Sequence, residues 1–521
     1  MTTRVREDAE GLLRTAAAVY ADDPAAQVTI AELERRLHEP LRLAVAGMVK
    51  AGKSTLLNAL LGEQIAPTDA GECTRVVTWY RYSATPNITL HPKEGAPRRL
   101  PVRRDQGRLV LDLGGTPAEE VGWIDVGWPL AGLKSMILID TPGIASLSED
   151  TSARARRFLT PEEAPSSADA VVYLMRHLHA SDVKFLEAFR DTAAGAAQTI
   201  CAVGVLSRSD EIGSGRIDSL LSAGKVARRY ERDGDLASLV LGVIPVAGLV
   251  AEGARTLRES EYTAFRELAG LERADRERLL VSADRFTRES DATGLGADER
   301  RQLLGRFGLF GVRLATALIR GGVDSSSDLS AQLVQQSGLI ELQQFMRDQF
   351  RTRASTLKVR GVLLGLDRLI RDRPRRGTDE IRGGIERITA GAHALRELSL
   401  LAVARSEGLP LAAQDAADAQ TIIGAEGTPT NVRLGMAEGT DDDALRDRVR
   451  ALLVYWRRLG ESPLTERATA GVCRVVIRSL EEIASELGPA ADVVLPSRPR
   501  DGVGEHAAEQ REQHEPALGR E

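Results

Sequence analysis

The sequence predicts an α/β P-loop domain, with a mixed, mostly parallel sheet between helices on both faces, followed by an elongated α-helical bundle. Short apolar strands alternate with helical segments over residues 41–250, which is the signature of an α/β sheet. After residue 250 the strands stop and long helical patterns continue. A glycine-rich loop between the first strand and the helix after it marks the place where this domain would bind a phosphate.

The strand pattern of short apolar runs occurs in six segments: 41–46, 76–82, 135–139, 169–175, 199–206 and 239–246. Residues 88–128 contain apolar alternation that predicts additional hairpins. In the C-terminal half, long helical patterns are predicted at 338–372 and 379–406, with others around 442–460 and 463–487. Many of them have apolar residues at i, i+3, i+4 and i+7, as in packed helices. Leu339–Asp372 would span roughly 50 Å as one helix, the length of a stalk.

These patterns divide the chain into four parts. Residues 1–38 predict two helices that join the bundle, and 39–350 predict the nucleotide-binding domain with a helical excursion at about 252–335. Residues 351–488 predict the bundle itself. Residues 489–521 are rich in Pro, Glu, Gln, Arg and His and predict a disordered tail.

The bulk composition limits the compartment and the partners. The net charge of −6 gives no general attraction to nucleic acid. The cysteines at 73, 201 and 473 form no CxxC pair and no metal spacing, as expected in a reducing cytosol. No signal peptide is visible, and no apolar run approaches the length of a membrane span. We therefore expect a cytoplasmic protein that meets a membrane only from its surface.

The glycine-rich loop Gly47–Ser54 fits G-x-x-x-x-G-K-[ST], and it follows the strand 41–46 and precedes a helix. Gly47 and Gly52 allow the backbone torsions that turn successive N–H groups toward a phosphate. Lys53 is expected to bridge the β- and γ-phosphates. The prediction of nucleotide binding rests on this loop, with the contacts assigned to Gly47, Lys50, Ala51, Gly52, Lys53, Ser54 and Thr55.

Magnesium would be held by Ser54 together with residues of two later loops. Leu138–Gly143 is a strand that ends in D-x-x-G, so Asp140 would hold Mg²⁺ through water and the Gly143 N–H would contact the γ-phosphate. A threonine must also supply its hydroxyl to Mg²⁺. We favour Thr74 over Thr68, because Thr74 directly precedes a strand.

The base would be read by Ser207-Arg208-Ser209-Asp210, which stands where GTPases carry [NT]-K-x-D. The Asp210 carboxylate can accept two hydrogen bonds from guanine, from N1–H and the N2 amine, which adenine lacks. Arg208 can lay its planar head over the base, and Ser207 keeps a small hydroxyl. The alternative is that Asp210 only caps a helix. Ala247 and Gly248 occupy the position of a further base-contacting loop.

These ordered motifs resemble the dynamin-like large GTPases, and most of all the actinobacterial isoniazid-inducible (IniA/IniC-like) type. The closer likeness lies in LAVAGMVKAGKSTLLNALLGEQIAPTDAGECTRVVTWYRY, SRSDEIGSGRIDSLLSA, RFGLFGVRLA and QSGLIELQQFMRDQF, and it extends over most of residues 10–490. The resemblance implies a Mg²⁺-dependent GTPase that dimerises through its G domains and acts through a helical stalk on the inner face of the cell membrane. It also implies that a second dynamin-like protein is a plausible partner.

Hydrolysis must differ from that of small GTPases, because Ile144 stands where they carry the water-orienting Gln. Lys50 stands where dynamins have a polar residue that helps to hold a monovalent cation, so we hypothesise that its ammonium replaces the cation. Leu178–Leu186 looks like the loop that dynamins use in trans. Asp182 is then expected to face the partner chain and pair with Lys50, or alternatively to cap the next helix.

Two segments are candidates for contact with an anionic phospholipid membrane. Arg371–Gly377 is a basic breaker between two helices, which suits a hairpin tip with its arginines at 371–376. The segment 407–436 carries Leu409, Leu411, Ile422, Ile423 and Met436 among Gly and Pro. Each could instead be a solvated turn or a packed loop. Two other functions remain open: a translation- or RNA-linked GTPase, which would need a basic face that is not evident, and a GTP-gated scaffold with little turnover.

Overall fold

A computed structural model describes residues 2–67, 76–105, 107–142, 168–194, 201–212, 215–232, 236 and 238–488. It confirms the predicted fold class, a mixed and mostly parallel sheet with helices followed by a large helical region. The strands in the described residues are β1 (Leu41–Gly47), β2 (Val77–Tyr82), β3 (Asn87–Pro92), β4 (Arg98–Leu100), β5 (Arg103–Asp105), β6 (Arg108–Val110), β7 (Val121–Trp128), β8 (Met136–Asp140), β9 (Ala170–Met175), β10 (Ala202–Ser207) and β11 (Val243–Val246).

The helices fall into three groups along the chain. Two precede the sheet, others connect its strands, and the rest follow β11. In the described residues they are α1 (Thr2–Val19), α2 (Pro24–His38), α3 (Lys53–Leu61), α4 (Ala180–Ala194), α5 (Ser219–Arg232), α6 (Gly248–Arg255), α7 (Glu259–Gly270), α8 (Arg273–Leu279), α9 (Ala283–Thr287), α10 (Ala297–Arg320), α11 (Ser326–Gln335), α12 (Leu339–Met346), α13 (Ala354–Asp372), α14 (Thr378–Gly391), α15 (His393–Ser406), α16 (Ala413–Ile422), α17 (Thr430–Arg433), α18 (Asp442–Glu461) and α19 (Arg467–Leu487).

The main sheet has the order β11-β10-β9-β1-β8-β2-β7-β3-β4 in the described part of the chain. β1 lies between β8 and β9 and is parallel to both, and every residue of β1 is buried. Such burial on both faces requires the continuous apolar run of this strand. Because β8, β1, β9 and β10 are parallel, their carboxyl ends meet at one edge, where the loops that follow them converge.

Four of the six predicted strands match within one residue. The last two begin later than predicted, at Ala202 rather than 199 and at Val243 rather than 239, and a turn at 238–239 precedes the last strand. The hairpins expected at 88–128 extend the main sheet through β3, β4 and β7, while β5 and β6 form a separate ribbon. Leu109, Leu111 and Leu113 anchor this region to the core of the sheet domain.

The helices α6 to α12, which directly follow β11, belong to the same hydrophobic core as the sheet. Phe265, Phe286 and Phe307 are fully buried in it, on α7, α9 and α10. By length and composition alone, α10 is the one described helix that could cross a membrane. In this structure it is a core helix, and Gly308 breaks it with non-helical torsions.

The stalk helix predicted at 338–372 is interrupted. A π-helical turn at Arg347–Arg351 separates α12 from α13. Side-chain bonds to a neighbouring loop accompany this break, since Gln349 donates to the carbonyl of Ala425 and Arg353 donates to the carbonyl of Gly424. The helix predicted at 379–406 is also broken, at Ala392, whose torsions are extended.

Two further hydrophobic clusters hold the remaining helices. One joins α1 and α2 to α13 and α14, and the other joins α15 through α19. The first is fixed to the sheet by a buried ion pair between Arg36 and Asp169, 3.0 Å long. Arg405 on α15 donates to the carbonyl of Val240 at 2.9 Å, so the second cluster also contacts the sheet domain.

Candidate functional site

The loop between β1 and α3 has the backbone that a phosphate cradle needs. At Gly47, φ is +148° and a Cβ would lie 2.4 Å from the carbonyl oxygen of Leu174, so only glycine fits. Gly52 is left-handed, with φ of +96°, at the N-cap of α3. The N-terminus of α3 therefore points its free N–H groups toward the pocket, which favours a bound anion.

The charged groups beside this loop fit Mg²⁺ and phosphate. Lys53 donates to the carbonyls of Gly47 and Met48, each at 3.2 Å, and burial lowers its pKa while Asp140 opposes that change. The Ser54 hydroxyl donates to Asp140 at 3.3 Å, so two hard oxygen donors lie side by side. Burial raises the pKa of Asp140 to about 6, with Lys53 and Ser54 acting in the other direction.

The described ranges contain no group of three or more His, Cys, Asp or Glu that could hold a metal ion. Mg²⁺ is usually bound by one or two protein oxygens together with phosphate oxygens and water, and Ser54 and Asp140 could supply the protein oxygens. Three residues named from the sequence, Thr74, Gly143 and Ile144, lie outside the described residues, as does the alternative Thr68.

One pocket joins the phosphate loop to the base-reading segment. It brings together seven of the residues named from the sequence: Ala51, Gly52, Thr55, Ser207, Arg208, Asp210 and Gly248. The other lining residues are Leu56, Leu174, Val205, Glu211, Val246 and Leu249. A cleft that runs from a phosphate loop to a buried carboxylate is suited to a whole nucleoside phosphate.

On the base side, Asp210 is nearly buried, and burial raises its pKa. The Ser207 hydroxyl donates to the carbonyl of Met175 at 3.1 Å and so ties β10 to β9. Ala247 is fully buried and donates its N–H to the carbonyl of Ser337, so this N–H is not free for a base. Of the two residues expected in this loop, Gly248 is the one that lines the pocket.

A wall of the base site comes from a helix that the sequence motifs do not indicate. The kink in α10 places Gly308, with φ of +65°, beside Asp210, and a Cβ there would lie 3.5 Å from the carboxylate oxygen. Arg313, farther along α10, donates to the carbonyl of Gly215. Helix α10 therefore lies directly against the base-reading loop.

Asp182 does not have the exposed position that the trans hypothesis requires. Its side chain is fully buried, and it accepts hydrogen bonds from the Tyr173 hydroxyl at 2.6 Å and from the His179 N–H at 2.9 Å. Helix α4 begins at Ala180, so Asp182 bonds back to the residue before the helix, as in a capping box. The expected pairing with Lys50 of another chain is corrected accordingly, because no oxygen of Asp182 reaches the surface.

The same loop still touches the phosphate loop, because Ser181, which is exposed, lies 3.9 Å from the sulfur of Met48. The side chains available to a partner there are those of Ser181 and its exposed neighbours His177, His179 and Lys184. Sequence spacing could not separate the buried carboxylate from the exposed positions, because all of them lie in one short loop.

Glu211 and Arg176 are site residues that sequence reasoning missed. Glu211 lines the pocket and pairs with both Arg176 and Arg208. The sequence signal for these two residues is their position alone. Arg176 directly follows β9, and Glu211 lies shortly after the end of β10.

Both segments considered for membrane contact are held by contacts with other parts of the chain. At the α13–α14 turn, Arg373 pairs with Asp23 and Arg375 pairs with Asp22, each at 2.7 Å, so much of the basic charge is neutralised by the α1–α2 turn. In 407–436, Ile422 and Ile423 are buried in the helical core. Partly buried Leu409, Leu411 and Met436 pack against the same core.

Comparison with known proteins agrees with this architecture. The model of the dynamin family matches residues 43–108. The isoniazid-induced protein IniC of Mycobacterium tuberculosis is 40% identical over 451 residues, which cover 87% of this chain and 91% of that protein. A bacterial dynamin-like protein of Nostoc punctiforme is 35% identical over 128 residues, 22% of this chain and 17% of that protein.

A solved structure, described as an oligomerised bacterial dynamin pair that provides a mechanism for the long range sensing and tethering of membranes, aligns with 93% of this chain and 74% of its own. Its sequence identity is 12% and its TM-score is 0.36. The phosphate loop after β1, Asp140 at the end of β8 and the base-reading segment after β10 define the class as a P-loop GTPase domain, and the family model makes it one of the dynamin family. Given the identity over nearly its whole length, the chain belongs to the dynamin-like GTPase family, together with IniC.

Proposed function

We propose that this protein binds GTP with Mg²⁺ and hydrolyses it. The observation that carries the proposal is the pocket that runs without interruption from the phosphate loop to Asp210. The Asp210 carboxylate accepts from guanine N1–H and N2, while Ser54 and Asp140, which are hydrogen-bonded to each other beside the phosphate loop, hold the metal. Adenine offers no matching pair of donors, so GTP is favoured over ATP.

Within the phosphate site, Lys53 neutralises the β- and γ-phosphates. Lys50 has an exposed side chain and a left-handed backbone at the loop rim. Its ammonium takes the place of a monovalent cation and neutralises charge that develops between the β- and γ-phosphates. Thr74 completes the metal site, and the Gly143 N–H contacts the γ-phosphate. Turnover that rises in potassium and falls in sodium would count against this role of Lys50.

The proposal includes pairing of two G domains, because the chain supplies no water-orienting side chain at Ile144. Exposed apolar side chains on two neighbouring segments support it. Ile217, Leu221 and Val281 are 62%, 74% and 62% exposed. Arg313 donates to the carbonyls of both Gly215 and Val281, so the segments that carry these side chains are neighbours. Apolar groups gathered in this way commonly mark an interface.

The proposed site of action is the inner face of the cell membrane, where the protein binds anionic phospholipid peripherally. The helical end that best suits this contact is the turn between α18 and α19. Leu464 in this turn is 94% exposed. Thr469 donates to the carbonyl of Pro410, which brings the loop with Leu409 and Leu411 beside it. Exposed cations flank the turn at Arg458 and Arg467, beside the exposed carboxylates of Glu461 and Glu466.

The membrane contact is tested by co-sedimentation with vesicles of increasing anionic lipid content. Leu464→Asp should reduce binding, because it replaces an apolar anchor by a charge that the headgroups repel. Val28→Asp is the matched control, since Val28 is 71% exposed on α2. Equal binding of the two variants would place the contact elsewhere.

The GTPase itself is tested by turnover of GTP and ATP with Lys53→Ala as the inactive control.

The absence of a water-orienting group at Ile144 also favours a second candidate, a GTP-gated scaffold with little turnover. A second dynamin-like protein is a further proposed partner, and turnover should then rise when that protein is added. If the protein binds GTP but hydrolyses it neither alone nor with the second dynamin-like protein, the scaffold is favoured.

A further inference from the structure

The carboxylate of Glu211 lies between two guanidinium groups at the mouth of the pocket. One oxygen accepts from Arg208 at 2.9 Å, and the other accepts from Arg176 at 2.8 Å. Arg176 directly follows β9, and Arg208 directly follows β10. The carboxylate thus joins the ends of two neighbouring strands.

Arg208 extends this connection to the phosphate loop, because its other terminal nitrogen donates to the carbonyl of Lys50 at 3.3 Å. The two residues share a second property. In the described part of the chain, Lys50 and Arg208 are the non-glycine residues with positive φ, at 63° and 51°. Strained backbone of this kind persists where the surroundings hold it in place, often at functional sites.

We infer that Glu211 and Arg176 are positioning residues for the nucleotide base, acting through Arg208. Glu211 holds the Arg208 guanidinium in one orientation along the pocket wall, and Arg176 holds Glu211. The planar head of Arg208 can then lie against the base while its edges bond to Glu211 and to the phosphate loop. This inference rests on the proposed GTP binding.

The chemistry explains why such a support is needed here. A lysine is a compact charge that needs no fixed plane, whereas a guanidinium has five donors in a rigid fork and acts through its orientation. Arg176, Arg208 and Glu211 have side chains that are 47%, 41% and 48% exposed. At that exposure a single pair would hold a long side chain only weakly. Here Arg208 bonds to one oxygen of Glu211 and to the Lys50 carbonyl, while Arg176 holds the other oxygen of Glu211. Together these contacts give Arg208 one defined position.

The test compares Glu211→Gln and Arg176→Ala with the unmodified full-length chain. The control is Glu277→Gln, which removes a similar exposed pair with Arg273, 2.7 Å long, on α8. The Kd of a fluorescent GTP analogue is measured by titration. We expect it to rise about three- to tenfold for Glu211→Gln, which corresponds to the loss of two exposed pairs. Glu277→Gln should leave it unchanged.

Three further readouts separate positioning from a general structural role. In turnover assays, KM should rise while kcat changes little, because the phosphate site is not altered. The difference in Kd between Glu211→Gln and the unmodified chain should become smaller at about 1 M salt, where exposed pairs are screened. Adding Arg176→Ala to Glu211→Gln should cause no further loss, since Arg176 acts through Glu211.

A Kd for Glu211→Gln within twofold of the unmodified chain would overturn the inference. Additive losses in the double variant would also contradict it. Should Glu211→Gln fail to fold, Arg176→Ala decides alone, because it leaves the Glu211–Arg208 pair intact. If the unmodified chain binds neither GTP nor ATP, the proposed function fails instead.

Discussion

Replacement of Asp182 by alanine is expected to destabilise the sheet domain rather than to disturb an interface between chains. The buried carboxylate accepts from the Tyr173 hydroxyl at 2.6 Å and from the His179 N–H at 2.9 Å. Its removal leaves a buried hydroxyl and a backbone donor without these partners. Burial and the neighbouring carboxylate already raise the pKa of Tyr173, so this hydroxyl stays protonated as the donor.

Hydrogen bonds to a charged group contribute about 1.5–3 kcal/mol each, so we expect a loss of about 3 kcal/mol in the free energy of unfolding. For a domain of about 300 residues, with an unfolding entropy of about 2 cal/mol/K per residue, that loss lowers the melting temperature by roughly 5 °C. Asp182→Asn keeps the shape of the side chain and should lose less. Lys184→Ala, an exposed change on the same helix, should lose almost nothing.

The assay combines thermal unfolding by circular dichroism with GTP turnover at several protein concentrations. Asp182→Ala should lower the melting temperature and reduce turnover at every concentration, because the loop that it holds contacts Met48 of the phosphate loop. The reasoning would be refuted by a variant that melts like the unmodified chain but loses only the rise of turnover with concentration. That result would assign Asp182 to the interface.

Two other outcomes follow from the structure. Gly47→Ala would place a Cβ 2.4 Å from the carbonyl oxygen of Leu174, so we expect a loss of roughly 3 kcal/mol in stability and no nucleotide binding, measured by unfolding and by titration. Burial alone would raise the pKa of Glu397, but His393 and Arg433 lower it from 4.5 to about 2. The unfolded chain then binds more protons between these values, so about 3 kcal/mol of stability is present above pH 4.5 and lost as the pH falls toward 2. Glu397→Gln should be less stable at pH 7, and its unfolding should vary less with pH over that window; an unchanged pH profile would contradict this role.

The parts of the molecule that depend on local sequence patterns could be predicted from the sequence alone. The strand β1 is an unbroken apolar run, and Gly47 and Gly52 have a fixed spacing around Lys53, so both could be recognised without coordinates. The same holds for Asp210, which follows a strand.

Other features depend on contacts between distant segments. The kink at Gly308 meets Asp210 only when α10 packs on the sheet, and Glu211 meets Arg176 only because β9 and β10 are neighbours. The apolar residues Ile422 and Ile423 belong to a helical core that no local pattern distinguishes from a membrane loop. Tertiary packing decides all of these, and periodicity carries no information about it.

The most direct test of the central claim is GTP turnover per molecule, measured over a wide range of protein concentrations with Mg²⁺. We predict turnover that exceeds that with ATP, rises with concentration as G domains pair, and is abolished by Lys53→Ala. Turnover per molecule that stays constant with concentration would contradict pairing. Turnover no greater than that of Lys53→Ala would contradict the assignment as a GTP hydrolase.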